Sequence, residues 1–472
     1  MLNQFFFSEV LKNLEYEATE DQKLSLSLFT DFFFSPEQRI FILNGYAGTG
    51  KTTVIKSITK TLLKVNYPFV LLAPTGRAAK VLSNYCQHNA YTIHKHIYRQ
   101  LSDDEFRFVL NYNTLKEGIF FIDEASLISN QENESNVFGS GRLLDDLLEF
   151  VFQHPKNKMV IIGDVAQLPP VGSNFHPALQ AETFNLRGIK NTFSELREVV
   201  RQQESSCIYQ NAALLRKNIE AMVTQLPVFN SNRTDFEFIS SSESLEYIDS
   251  SYSNVGIDET VVLCYSNKRA LQINKAIRNR LLFYENEMVN GELLMVVKNN
   301  YMPLPKDITF NFIANGEMIY VRKIIRSEEL YGFNFKYVYA ELSSAPGIEL
   351  PCFLLEETLF SEQASLSKER QEELFRQIAM DFENIKSKKK RMKMIRENLY
   401  FNALQVKYAY AITAHKSQGG QWKHVYIDLS FLHYVELGIE QLKWLYTAIT
   451  RATDKVFIID LPDKFADHIK NN

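Results

Sequence analysis

The sequence predicts an α/β fold of two lobes, each a parallel sheet with helices on both faces, the second interrupted by a small β-barrel. Three patterns predict it. Apolar strands alternate with helical periodicities through the front half of the chain. A second set of apolar strands occupies the rear half. Within the second set lies a stretch of short β runs separated by turn residues.

Arg39–Asn44 reads as an apolar strand, and Val54, Ile55, Ile58, Leu62 and Val65 mark the helix after it. Phe69–Ala73, Gly118–Asp123 and Met159–Gly163 are three further runs, apolar along their length. Such strands, separated by helices, belong in a parallel sheet buried on both faces. The second set begins with Val261–Tyr265 and its helix, Ala270–Leu282. It resumes with Lys407–Ile412, Val425–Leu429 and Val456–Asp460. The insertion, Gly291 to Ala403, opens with the barrel runs EMIYVRKII and YVYAEL. Leu374, Phe375, Ile378, Phe382 and Ile385 then space an amphipathic helix that leads into the basic run Lys386–Arg396. That run is either a solvated helix face or a nucleic-acid contact. Leu442, Leu445, Tyr446 and Ile449 mark one more helix, buried on one side, which ends at Arg451 with no carboxylate beside it. The expected boundaries are 1–195 for lobe one, 196–290 and 405–472 for lobe two, and 291–404 for the insertion.

The 472 residues suggest about three domains, and 45% hydrophobic residues supply a packed core. No apolar run reaches membrane-spanning length, and MLNQFFFSEVLKNL lacks a basic region followed by an apolar core, so a soluble, cytoplasmic protein is expected. Cys86, Cys207, Cys264 and Cys352 stand far apart and read as buried single thiols, not a disulfide or zinc framework. With a net charge of −4, any nucleic-acid partner must be met by a local basic groove.

Gly45, Tyr46, Ala47, Gly48, Thr49, Gly50, Lys51 and Thr52 form a P-loop between a strand and a helix, as the motif requires. Its N–H groups cradle phosphates, Lys51 reaches the β- and γ-phosphates, and Thr52 is a Mg²⁺ ligand. Asp123 and Glu124 close an apolar strand with adjacent carboxylates, which a core strand has no structural reason to carry. Asp123 suits Mg²⁺; Glu124 suits orienting and deprotonating an attacking water. Gly163-Asp164 begins a further strand-end loop in which the Gln167 amide is placed to touch a γ-phosphate. His94 and His96 have a spacing that a metal could use on a strand, but no third ligand stands nearby. No separate carboxylate cluster supports a nuclease.

The P-loop, Asp123-Glu124 and GDVAQLPPV resemble motifs I, II and III of superfamily 1 helicases. The match extends to LLAPTGRAAKVL (Leu71–Leu82), LREVVRQ (Leu196–Gln202), TAHKSQGGQW (Thr413–Trp422) and LYTAITRA (Leu445–Ala452). The set is most similar to the RecD/Dda-type branch. The resemblance implies two RecA-like lobes, an SH3-like barrel in lobe two, and ATP with Mg²⁺ in the cleft between lobes. It implies an ATP-dependent DNA helicase that moves 5′ to 3′ on single-stranded DNA, in repair, recombination or replication, and acts as a monomer at single-strand/duplex junctions. It aims Arg201 and Arg451 at the γ-phosphate, explaining an arginine without a local carboxylate. It adds Gln22 as a reader of adenine, with Thr53, Gln418 and Gly419 beside the nucleotide. It places Pro74, Thr75 and Arg77 on the strand from lobe one, and Ser266, Asn267, Lys268, Thr413, His415 and Lys416 from lobe two. In such proteins a β-hairpin splits the duplex; here 92–116 is the corresponding insertion, with Phe106 or Phe108 as its wedge, unless it is an ordinary core hairpin. An RNA-acting relative and a nucleotide-gated binding switch remain open alternatives.

Overall fold

A computed structural model describes residues 2–102, 105–131, 138–198, 206–300, 302, 304–305 and 312–471, with the backbone alone described at 100–102, 105–107 and 471. The strands of the front half are β1 (Ile40–Gly45), β2 (Phe69–Ala73), β3 (Ala90–Thr92), β4 (Tyr98–Ser102), β5 (Glu105–Leu110), β6 (Ile119–Ile122), β7 (Lys158–Gly163) and β8 (Asn191–Leu196). Six of them form a parallel sheet in the order β3-β2-β6-β7-β1-β8. Alternation divides each central strand between two cores. Ile40 and Ile42 of β1, with Phe120 and Ile122 of β6, face a cluster containing Leu147, Phe150 and Leu179. Phe41, Leu43, Ile119 and Phe121 face the opposite cluster, with Phe29, Val54, Ile58 and Leu82. Helices therefore cover both faces, as the apolar strands require.

The rear half adds β9 (Phe229–Ser231), β10 (Phe236–Ile239), β11 (Thr260–Cys264), β12 (Leu293–Val296), β13 (Met318–Leu330), β14 (Phe333–Leu342), β15 (Glu349–Leu355), β16 (Leu404–Tyr408), β17 (Ala411–Thr413), β18 (Trp422–Asp428), β19 (Ala452–Ile459) and β20 (Ile469–Asn471). A second parallel sheet runs β10-β19-β18-β11-β17, and β12 to β16 close a five-stranded barrel. The run expected as one lobe-two strand, Lys407–Ile412, is divided. β16 closes the barrel against β12 and β15, and β17 joins the edge of the sheet beside β11. The break falls at Ala409 and Tyr410, both buried, where the Tyr410 hydroxyl donates to Glu292 of the barrel at 3.0 Å.

One continuous core joins the barrel interior to lobe two, and it takes in Tyr46, Ala166 and Leu168 from lobe one. The long β13–β14 hairpin reaches beyond the barrel. Its tip is covered by the helices Lys368–Met380 and Lys388–Glu397 through Phe333, Phe335, Leu374, Ile378 and Ile395. The helix Ile439–Ile449 is more enclosed than its stripe suggests: Trp444, Thr447 and Ala448 are also buried. All four cysteines are buried and unpaired. Among the described residues no helix is long and apolar enough to cross a membrane.

Candidate active site

The P-loop leaves the carboxyl end of β1 and enters the helix Lys51–Lys64. Gly48 and Gly50 sit at φ 77° and 82°, a region in which a side chain is strained. A Cβ on Gly45 would meet Lys51 Cγ at 2.8 Å, so this glycine lets the lysine fold over the loop. Lys51 Nζ donates to the carbonyls of Gly45 at 2.5 Å and Tyr46 at 3.0 Å. A phosphate oxygen would compete well for that ammonium, since a charged acceptor outbids neutral carbonyls. Thr52 and Thr53 lie on the first helical turn. Gln22 is buried, caps its own helix through Thr19, and donates from Nε2 to the Thr49 carbonyl at 3.0 Å.

Asp123 and Glu124 follow β6. Glu124 adopts φ 50°, a strained position for a residue with a side chain. Its N–H donates to Asp123 Oδ1 at 2.9 Å. Burial, and then the neighbouring Glu124, pushes the Asp123 carboxyl up to about 7. Two adjacent carboxyl groups lining the cleft with Lys51 and Thr52, one of them held at a raised pKa by burial, gain from a divalent cation. No cluster of three or more His, Cys, Asp or Glu among the described residues could form an all-protein cage. The Thr52 hydroxyl and Asp123 carboxyl, both lining the cleft, are the oxygen donors that suit Mg²⁺, which takes one or two protein oxygens and completes its shell with water and phosphate.

The loop after β7 is held by both lobes. The Tyr446 hydroxyl, from lobe two, donates to Asp164 Oδ2 at 2.7 Å and accepts the P-loop N–H of Ala47 at 2.9 Å. Thr447 Oγ1 accepts the N–H of Leu168 at 2.8 Å, and Gln418 Nε2 donates to the Leu168 carbonyl at 3.0 Å. Between these anchors Gln167 is 4% exposed, and its Oε1 has no hydrogen-bond partner among the described residues.

Arg451 is also 4% exposed. No carboxylate is paired with it among the described residues: its guanidinium donates to the carbonyls of Thr447 at 3.0 Å and Gly420 at 3.3 Å, and to Thr450 Oγ1 at 3.2 Å. All three are neutral, so they aim the cation without discharging it. With Gln22, Tyr46, Ala47, Gly48, Gly50, Lys51, Thr52, Thr53, Asp123, Glu124, Gln167 and Gly419, it lines one interlobe cleft of about 550 Å³. Gln418 lies just beside it. Arg201 and most of LREVVRQ lie outside the described residues.

The expected strand contacts gather at the carboxyl ends of β2, β11 and β17. Two of their hydroxyls are used as helix caps: Thr75 accepts from Ala78 N and Ser266 from Arg269 N, each at 3.2 Å. Pro74 is partly buried, and Lys268 is exposed. Asn267, Thr413 and Lys416 share one small cavity; burial lowers both His415 and Lys416, the latter to about 8. Arg77 is placed differently from its expectation. Its guanidinium stacks on the Trp422 ring at 3.8 Å and donates to the Gln421 carbonyl at 3.0 Å, so it holds lobe two. Gly419, at φ 75°, and Gly420 permit this approach. A Cβ on the first would stand 2.9 Å from Ala78 Cβ, and one on the second 2.8 Å from Arg77 Nε.

β4 and β5 form the short hairpin expected at 92–116. Phe108 is corrected as a wedge: its ring stacks on Phe138 at 4.7 Å within the lobe-one core. The Phe106 side chain lies outside the described residues. His94 and His96 stand on the helix Ile93–Ile97, not on a strand, and pack against Phe138 and Phe150 respectively. Sequence reasoning missed Tyr16, Tyr85 and Tyr209, which also line the cleft; single tyrosines outside any motif carry no signal.

Comparison with known proteins agrees with this geometry. Residues 29–227 match an AAA domain and 408–459 a UvrD-like helicase C-terminal domain. The chain is 24% identical over 468 residues to the ATP-dependent DNA helicase dda of Enterobacteria phage T4, covering 94% of this chain and 99% of that protein. It is 22% identical to the RecBCD enzyme subunit RecD of Buchnera aphidicola subsp. Schizaphis graminum, covering 92% and 72%. A Pif1 helicase structure, described as unwinding at forked dsDNA, shares the fold with a TM-score of 0.50 at 18% identity, covering 94% of this chain and 92% of that one. With these two domains in this order, the chain is similar to superfamily 1 helicases of the RecD and Dda type.

Proposed function

We propose that the chain hydrolyses ATP in the interlobe cleft and uses it to move 5′ to 3′ along single-stranded DNA, unwinding duplex ahead. Lys51 and the P-loop N–H groups bind the phosphates. Thr52 and Asp123 would hold Mg²⁺, which supplies charge neutralisation on the phosphate oxygens when bound. Glu124 orients and deprotonates the attacking water, and Gln167 contacts the γ-phosphate. Arg451 from lobe two, joined by Arg201, stabilises charge that grows in the transition state. Cleft closure then favours the ATP-bound state, and its release after hydrolysis becomes a step along the strand.

The observation that carries this reading is Arg451: a buried cation with only neutral partners, in the same cleft as Lys51 and Glu124. A pure binding switch has no need of such a group. Lys51→Ala should abolish ATPase stimulated by single-stranded DNA. Arg451→Ala should lower kcat by about 10³-fold or more while nucleotide affinity changes little, because a finger acts on the transition state. Equal losses in kcat and affinity would reassign Arg451 to ground-state binding. Strand displacement on 5′-tailed and 3′-tailed duplexes decides direction; activity on the 3′-tailed substrate alone overturns it.

A further inference from the structure

The basic run Lys386–Arg396 is not part of the cleft or of the expected strand contacts. It forms the helix Lys388–Glu397, capped by Ser387 and seated on the barrel extension by Ile395. Its outward residues Lys388, Lys390 and Lys393 are exposed. One acid, Glu397, stands on this helix, 3.9 Å from Lys393.

Three further lysines stand on the barrel and beside the lobe-two strand contacts. Lys416, in the Thr413 cavity, donates to Asn315 Oδ1 at 2.6 Å. Lys407 lines the same cavity and donates to the Ser361 carbonyl. Lys298 donates to Gln371 Oε1 on the helix Lys368–Met380, which packs directly on the basic helix. Lys298 is exposed, while Lys407 and Lys416 are half-buried, which lowers the pKa of both to about 8. Each of these three bonds is to a neutral oxygen. Cations bonded to neutral oxygens and not to carboxylates are left to gain from an incoming anion, and several of them suit a phosphate backbone.

We propose that Lys298, Lys407 and the helix Lys388–Glu397 bind the phosphates of single-stranded DNA running past the lobe-two end of the track. This rests on the DNA reading above. It predicts that oligonucleotides longer than the interlobe footprint gain affinity from the barrel extension.

The test measures affinity by fluorescence anisotropy for oligothymidines of about 8 and about 30 nucleotides over a range of salt. The variant combines Lys388→Gln, Lys390→Gln and Lys393→Gln, exposed changes that keep helix propensity. It should match wild type on the short oligomer and in the ATPase that oligomer stimulates. On the long one it should lose about tenfold in affinity and about 2 in salt slope, near 0.7 per phosphate contact. The triple Lys→Arg variant should restore both. Identical long-oligomer binding in variant and wild type overturns the proposal. A loss seen only on blunt duplex also overturns it, assigning the surface to double strands. Wild type that fails to bind even the short oligomer overturns the DNA reading itself.

Discussion

Tyr446 ties lobe two to the nucleotide loop through a single oxygen. Its hydroxyl accepts from Ala47 N and donates to Asp164, in a setting so buried that its pKa is driven well above the ordinary tyrosine value. Tyr446→Phe keeps the ring and removes the oxygen. The Ala47 N–H and one Asp164 oxygen then lose their partner in a buried site, which should cost about 1–3 kcal/mol in urea denaturation. DNA-stimulated ATPase should fall more than basal ATPase, because the lost bond joins the loop to the lobe that moves. Equal effects on both rates would make Tyr446 a packing residue alone. In the sequence this tyrosine reads as part of an apolar stripe inside the LYTAITRA segment, with no role of its own. Its two partners lie 399 and 282 positions away, and no periodicity reports a bond of that span. Lys51, Asp123 and Arg451 were legible because motif spacing is local, whereas the neutral cradle of Arg451 was not, since backbone carbonyls carry no sequence identity.

At the scale of elements, the short helix Ile93–Ile97 shows what local reading misses. Two histidines two positions apart suggested a shared strand face. The Thr92 side chain instead caps a helical turn by accepting from Lys95 N at 3.2 Å. The rings diverge into separate aromatic surroundings, where burial pushes both His94 and His96 down to about 4 from 6.5. The sign follows from the order of these values. Between pH 6.5 and 4 the unfolded chain binds more protons than the folded one, so stability falls as pH drops through that window. Thermal midpoints at pH 7 and pH 5 should therefore differ more in wild type than in a His96→Phe variant; equal differences would show that His96 titrates normally in the folded protein. The central strands were legible for the opposite reason: β1, β6 and β7 are buried on both faces, so residues 40–43, 119–122 and 159–162 are apolar without interruption. The boundary between barrel and lobe two was not legible. β16 (LQVKY) and β17 (AIT) stand two residues apart with no turn residue between them, and their strand partners are what separate them.

Across the whole molecule the junctions between the lobes include the Tyr446 and Gln418 contacts beside the nucleotide loop and the Arg77 contact at the start of the helix Gly76–Cys86. A resemblance between motifs placed Arg77 on the DNA strand; its surroundings give it a second assignment as a latch. Desolvation pushes its pKa down only to about 10, so it remains cationic over Trp422 at neutral pH. The two assignments predict different losses for Arg77→Ala. A phosphate contact would take about 0.7 from the salt slope of single-stranded DNA binding and weaken affinity at low salt. A latch would leave that slope unchanged while reducing DNA-stimulated kcat, since the closed arrangement that brings Arg451 to the cleft loses a cation–π contact and a hydrogen bond. The geometry favours the latch, so an unchanged slope with a reduced kcat is expected. Gly420→Ala should act in the same direction, because its Cβ would stand 2.8 Å from both Arg77 Nε and the Trp422 ring and force that stack apart. A reduced slope for Arg77→Ala, with Gly420→Ala behaving as wild type, would return Arg77 to the strand and leave the lobes held together by the Tyr446 and Gln418 contacts.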